Sequence, residues 1–295
     1  MNHIFKDPLL SQKIGLKGFS SALTAHQVFG YMQAPGAGEE SSWTIAEWGS
    51  RELMHEVCEM EPYGEGGYRF FNNCKQVILF PGKNEIRLAP YTSREYDAPR
   101  TGSEPWIHLL LEQKVEEEDR VRIADMKHLY VTLEFSIDFN EMMMTPEQYN
   151  PNCHASQVSW YFTLENCVDP SRDFEGRPDY LWFGLPMFDN RGDSSDTPAR
   201  ESTLFDHGTQ KLIFGMDKSV YIEGGRVEVG KTYRFSFDVL PTVRHAFEVG
   251  KAGGMRVNTN WEDIAIGSTN IGWEVPGTFD CQLTLRDMDV TYELK

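Results

Sequence analysis

The chain has 295 residues, with 28 Lys and Arg against 45 Asp and Glu, and a net charge of −17 at pH 7. Nucleic acid and anionic membranes both need a basic footprint, so this field excludes them as general partners and favours a neutral ligand over a polyanion. The length is enough to bury a full core, and the expectation is a single β-sandwich domain over residues 1–295.

Residues 1–25 read as a lead-in with the turn-prone Gly15 and Gly18, followed by a strand at Gln27 to Met32. The N-terminal residues lack the basic, apolar and small-residue regions of a secretory signal, and no stretch is long enough to span a bilayer, so the expected location is the cytoplasm. Residues 34–42 carry the Gly, Pro and Ser punctuation of a loop. Trp43 to Trp48 and Arg51 to Val57 read as two strands broken at Gly49 and Ser50, and 64–67 as a turn. Pro81-Gly-Lys-Asn84 joins Lys75 to Phe80 with Glu85 to Pro90 as a hairpin. A long polar loop near 91–104 precedes a strand at Trp106 to Glu112, and Glu116 to Asp119 reads as a solvated turn.

From Leu129 to Phe139 every odd position is apolar and every even one can face water, the period-two pattern of a half-buried strand. Further strands are predicted at Ser156 to Glu165, Tyr180 to Phe188, Tyr233 to Val239 and Phe279 to Leu294. In the last, apolar parity switches at Arg286 and Asp287, as a β-bulge would make it do. Thr145 as N-cap and Pro146 at the first helical position predict one short helix over 142–149, while Leu240 to Gly250 fits a helix or a strand. Loops near 168–179 and 189–201 are long enough to be places for ligand contacts. The five cysteines, Cys58, Cys74, Cys153, Cys167 and Cys281, are odd in number and widely spaced, which predicts reduced thiols. The pattern as a whole predicts an all-β, antiparallel β-sandwich.

Trp160 to Glu165, Tyr180 to Phe188 and Leu283 to Leu294 resemble the concanavalin A-like lectin and glucanase superfamily of jelly rolls, in strand rhythm and in ending on a long strand. The resemblance implies two curved antiparallel sheets with any glycan lying across the concave face. Its members include lectins, carbohydrate-binding modules, glycosidases and lyases, so it implies carbohydrate without choosing between catalysis and binding. The Glu-x-Asp-x-x-Glu string of the laminarinase-like hydrolases does not occur here.

Glycoside cleavage needs a protonated carboxyl for the leaving group and an ionised one as nucleophile or base. Glu47 shares parity with Trp43 and Ile45, a setting that should raise its pKa toward that of a general acid. Beyond it, Arg51 and His55 share one face of the predicted strand, and Glu52 and Glu56 the other. Glu134 and Asp138 share the even face of their strand, about 13 Å apart and so too far to act as a pair alone. Tyr161, Tyr180 and Trp182 lie opposite the apolar sets of their strands and are expected to stack on sugars, with Trp160 in the core. Calcium is a candidate structural ligand of Asp189 to Asp196, whereas His154, His207 and His245 are too scattered for zinc.

The leading expectation is a glycoside hydrolase acting on a neutral oligosaccharide, with Glu47 and either Glu134 or Glu52 as the acid pair, and Arg51, His55, Asp138, Tyr161, Tyr180 and Trp182 binding substrate. One alternative is a non-catalytic, lectin-like protein using the same aromatics. The other is a polysaccharide lyase using Tyr161, His55 and Arg51.

Overall fold

The computed structural model describes residues 1–18, 27–169, 171, 179–193, 200–206, 209–253 and 259–295. His207 and parts of the 168–179 and 189–201 loops, Ser194 to Asp196 included, lie outside them. Among the described residues the strands are β1 (Asn2–His3), β2 (Ile14–Lys17), β3 (Val28–Met32), β4 (Thr44–Ala46), β5 (Glu59–Tyr63), β6 (Gly67–Phe71), β7 (Lys75–Phe80), β8 (Glu85–Pro90) and β9 (Ile107–Lys114). They continue with β10 (Met126–Met142), β11 (Gln157–Asn166), β12 (Tyr180–Asp189), β13 (Ser202–Asp206), β14 (Lys211–Gly215), β15 (Thr232–Asp238), β16 (Ile264–Val275) and β17 (Phe279–Leu294).

Alternation decides which way each strand faces. In β10 the side chains of Leu129, Val131, Leu133, Phe135 and Ile137 are at most 1% exposed, and the even positions between them turn outward. Val158, Trp160, Phe162 and Leu164 play the same part in β11. The two apolar faces meet in one core, in which Leu129, Val131 and Val290 of one sheet surround a common point with Phe162, Leu164 and Phe183 of the other. The result is a jelly-roll β-sandwich of an eight-stranded and a nine-stranded sheet, antiparallel apart from the β2–β4 and β12–β14 pairs.

The eight-stranded sheet runs β15-β10-β17-β8-β7-β6-β5, with β1 also on β17, and the nine-stranded sheet runs β13-β14-β12-β11-β16-β9-β4-β2-β3. The last two strands lie in the interior of the two sheets. β17 joins β10 to β8, and β16 joins β11 to β9, so the C-terminal hairpin binds the two halves of the chain together.

Several expectations are corrected. The lead-in contains β1 and β2, residues 51–57 form turns rather than a strand, and 142–149 forms turns after the end of β10 rather than a helix. Leu240–Ala252 is the helix α1, with Pro241 in its first turn, and its buried Val243, Ala246, Phe247 and Gly250 fall at helical spacing against the core. No helix among the described residues is long and apolar enough to cross a membrane. The bulge in β17 is present: Asp287 has φ +48°, and the register with β10 passes from Glu134↔Arg286 to Thr132↔Asp289, one extra residue on β17.

Candidate functional site

Glu47 directly follows β4, and its side chain is 0% exposed. The Met54 backbone N–H donates to both of its oxygens at 3.0 and 3.1 Å, and Lys75 Nζ lies 3.3 Å away. Burial pushes the Glu47 carboxyl up to about 7, against the opposing pull of Lys75. Lys75 is itself 0% exposed and donates to Ser50 Oγ at 2.5 Å, to Glu95 Oε1 at 2.9 Å and to the Glu52 carbonyl. Glu95 also accepts from the Ser50 hydroxyl and, at 2.8 Å, from the Arg51 N–H. Burial alone would raise the Glu95 carboxyl, but Lys75 and these donors outweigh it and hold it low. The acid singled out in the sequence therefore sits in a closed ion triad, out of reach of a sugar.

The other two proposed acids are elsewhere. The Glu52 side chain is exposed, and only its backbone carbonyl enters the triad. Glu134 is on the outward face of the eight-stranded sheet, opposite Arg234 and 3.7 Å from Arg286. On that face Asp138 accepts from Ser136 at 2.5 Å, Thr284 at 2.6 Å and Gln282 at 2.7 Å. Neither Glu134 nor Glu52 is brought to Glu47 as an acid pair. Arg51 points away to Asp97 at 2.9 Å, and His55 stacks on Phe29 with ring centroids 5.1 Å apart. The lyase set is not assembled either, because Tyr161 lies five strands from β3, where His55 packs.

The aromatic residues do converge, on the outward face of the nine-stranded sheet. Tyr161 stands edge-on to Trp182 at 6.0 Å, and Trp182 edge-on to Tyr180 at 5.5 Å. Tyr161 and Trp182 are half-buried, and the Trp182 indole N–H donates to Thr209 at 3.4 Å. Tyr180 departs from expectation: it is 1% exposed, so its face is not open to a sugar.

Register extends this patch across the sheet. Tyr161 is opposite Asn270, Asn270 opposite Glu112, Glu112 opposite Thr44, Thr44 beside Gly15, and Gly15 opposite Tyr31. All lie on the face turned from the core. Tyr31 is exposed on the edge strand, and Lys17 pairs with Glu112 at 2.6 Å, each side chain 12% exposed. Asn270 Oδ1 is buried with no hydrogen-bond partner among the described residues. Sequence reasoning passed over Glu112 and Asn270 although the signal was there, since Leu109, Leu111 and Gln113, and Thr269, Ile271 and Trp273, alternate with them as core residues.

In the 189–201 loop, Asp189 pairs with Arg191 at 2.7 Å, and Asp193 holds Lys218 at 2.5 Å and the Val227 N–H at 2.9 Å. These oxygens already have protein partners. No group of three or more metal-ligating side chains occurs among the described residues. All five cysteines are free thiols.

No family model and no curated protein matches the chain. It is similar in structure to a cellulase derived from Cel12A of Rhodothermus marinus, at 11% identity and a TM-score of 0.43 over 84% of this chain and 100% of that one. It is also similar to a family 12 xyloglucanase from Bacillus licheniformis, at 12% identity and a TM-score of 0.42 over 80% of this chain and 100% of that one. A family 11 xylanase from Neocallimastix patriciarum is 7% identical, with a TM-score of 0.40 over 80% of this chain and 95% of that one. At identities of 7 to 12% and TM-scores of 0.40 to 0.43, these likenesses carry no argument about the chain's family or activity.

Proposed function

We propose that this protein is carbohydrate-active and binds a neutral oligosaccharide across the strands on the outward face of the nine-stranded sheet. The observation that carries the reading is the registered row from Tyr31 through Thr44, Glu112 and Asn270 to Tyr161, with Trp182 beside its end. Six strand spacings separate β12 from β3, roughly 29 Å, which is room for several sugar units. Aromatic rings at the two ends suit the apolar C–H faces of sugars, and the polar groups between them suit hydroxyls. Net charge and the Glu112 carboxylate on the face both favour an uncharged ligand.

Glycoside hydrolysis on this face is the second reading, favoured by the position of Glu112 at the middle of the row. Its difficulty is a partner. Glu274, on the same face, lies four residues beyond Asn270 on the adjacent strand, roughly 13 Å along it, whereas paired catalytic carboxyls stand about 5 to 9.5 Å apart. Binding is therefore the better-supported activity.

The test is a calorimetric titration of the full chain with a panel of neutral oligosaccharides, followed by mass spectrometry of the same mixtures. Trp182→Ala and Tyr31→Ala should each weaken binding by several-fold to about tenfold while the circular dichroism spectrum is kept. Binding untouched by both substitutions would remove the ligand from this face. Products that have gained water, and that disappear in Glu112→Gln, would make the protein a hydrolase.

A further inference from the structure

The buried triad has an odd number of charges. Lys75 supplies one ammonium and Glu47 and Glu95 two carboxylates, on side chains that are 0%, 0% and 1% exposed. With both acids ionised, one negative charge is left uncompensated where solvent does not reach it, and such a charge is costly. A proton on one carboxylate removes it. Glu95 has the fuller set of donors, from Lys75, the Ser50 hydroxyl and the Arg51 N–H, whereas Glu47 has the Met54 N–H and the longer contact to Lys75. The proton therefore belongs to Glu47.

The triad sits on a crossover. Residues 47–58 carry the chain from β4 of the nine-stranded sheet to β5 of the eight-stranded one, and Lys75 opens β7 of the latter. Through Glu47, Ser50 and the Glu52 carbonyl, one ammonium holds this crossover at three points. Further along it, His55 packs against Phe29 and over Gly30 of β3.

We propose that a proton on Glu47 latches the 47–58 crossover to β7, and that ionisation of Glu47 releases the segment. The charged and titratable groups around the latch are Lys75 and Cys74 at the start of β7, Glu95 and Asp97 beyond residues 92–94, and Arg51, Glu52, His55 and Cys58 on the crossover itself. Arg51 is paired with Asp97 outside the triad, which leaves Lys75 as the cation within it. In the latched state burial pushes Glu47 up to about 7, while a released Glu47 has an ordinary carboxylate pKa near 4.5. The latch is therefore closed below that lower value, weakens as pH rises between the two, and changes little above the upper one.

Hydrogen exchange at the Met54 and Arg51 amides of the full chain, corrected for intrinsic rates, tests this between pH 5 and pH 7.5. The opening constant should rise on the order of fifty-fold over that range in the wild type and stay flat in Glu47→Gln. A flat wild-type profile overturns the latch, as does an equal rise in Glu47→Gln. Exchange at Met54 should also be insensitive to low urea, the mark of local release; exchange that follows urea as Val131 does would mean global unfolding and overturn the proposal. If Glu47→Gln does not fold, His55→Phe decides: a retained rise assigns the titration away from the imidazole and supports the latch, and a lost one overturns it.

Discussion

Asn84 closes a two-way hydrogen bond with the backbone of Met288: its Nδ2 donates to the Met288 carbonyl at 3.0 Å, and its Oδ1 accepts the Met288 N–H at 3.2 Å. The Asp287 N–H donates to the Asn84 carbonyl at 3.1 Å. The tip of the β7–β8 hairpin thus holds the bulge of β17, at the point where apolar parity switches. Asn84→Ala leaves two buried backbone groups without partners. It should cost about 1 to 3 kcal/mol, read as a lower urea midpoint at unchanged m-value.

Lys75 is the only cation in its triad, so truncating it strands the buried Glu95 carboxylate and leaves the Glu47 carboxyl without its ammonium partner. Lys75→Met should destabilise by about 3 to 5 kcal/mol, well beyond an ordinary core substitution. A loss below about 1 kcal/mol in urea denaturation would mean that the triad is wetter than its exposure indicates.

The pH dependence of stability has two arms. Glu47 is raised in the fold, so its contribution is fully present below the unfolded value of 4.5 and is lost as pH rises through about 7. Glu95 is held low, as are Glu85, where Arg286 and Arg87 outweigh burial, and Asp238, where His128 together with the Leu129 and Leu240 N–H groups does; their contributions are present above the unfolded values and lost as pH falls through the folded ones. Stability should therefore peak at mildly acidic pH, and Glu47→Gln should flatten the neutral arm alone. Thermal unfolding from pH 3 to pH 8 measures both; a wild-type maximum at pH 8 would contradict the neutral arm.

Tyr161 reaches over Gly184, where an added β-carbon would lie 2.3 Å from the ring. Gly184→Ala must displace the ring, and with it the edge of the aromatic patch. The expected outcome is a loss of about 1 to 3 kcal/mol in stability together with weaker oligosaccharide binding. Unchanged affinity in the variant would show that the position of the Tyr161 ring does not matter to the ligand.

Thr92 is fully buried in the 3-10 turn at 92–94 and packs against the start of β17, its hydroxyl directed at the Gly277 and Phe279 carbonyls at 2.7 and 2.6 Å and accepting the Phe279 N–H at 2.7 Å. Thr92→Val keeps the shape and removes the hydroxyl's donated and accepted bonds. It should cost about 1 to 3 kcal/mol, measurable in the same urea series, with no effect on sugar affinity.

The sequence by itself determined the strand class and the faces. Alternation in β10 and β11 reports a local fact, which side of a pleated strand is apolar, and it placed Trp160 inward and Tyr161 and Trp182 outward correctly. The same logic reached the 81–84 hairpin and the bulge at Asp287, because turn chemistry and parity are also local. Tertiary structure alone decided what stands beside what. Glu47, Lys75 and Glu95 meet only because β4 and β7 belong to different sheets joined by the 47–58 crossover, and no spacing within one segment encodes that encounter. Glu112, Asn270 and Tyr161 fall into one row only through the strand order β9-β16-β11, which is set by long-range pairing of the C-terminal hairpin. Parity says which way a side chain points, and strand order, fixed by distant hydrogen bonds and a shared core, says what it meets there.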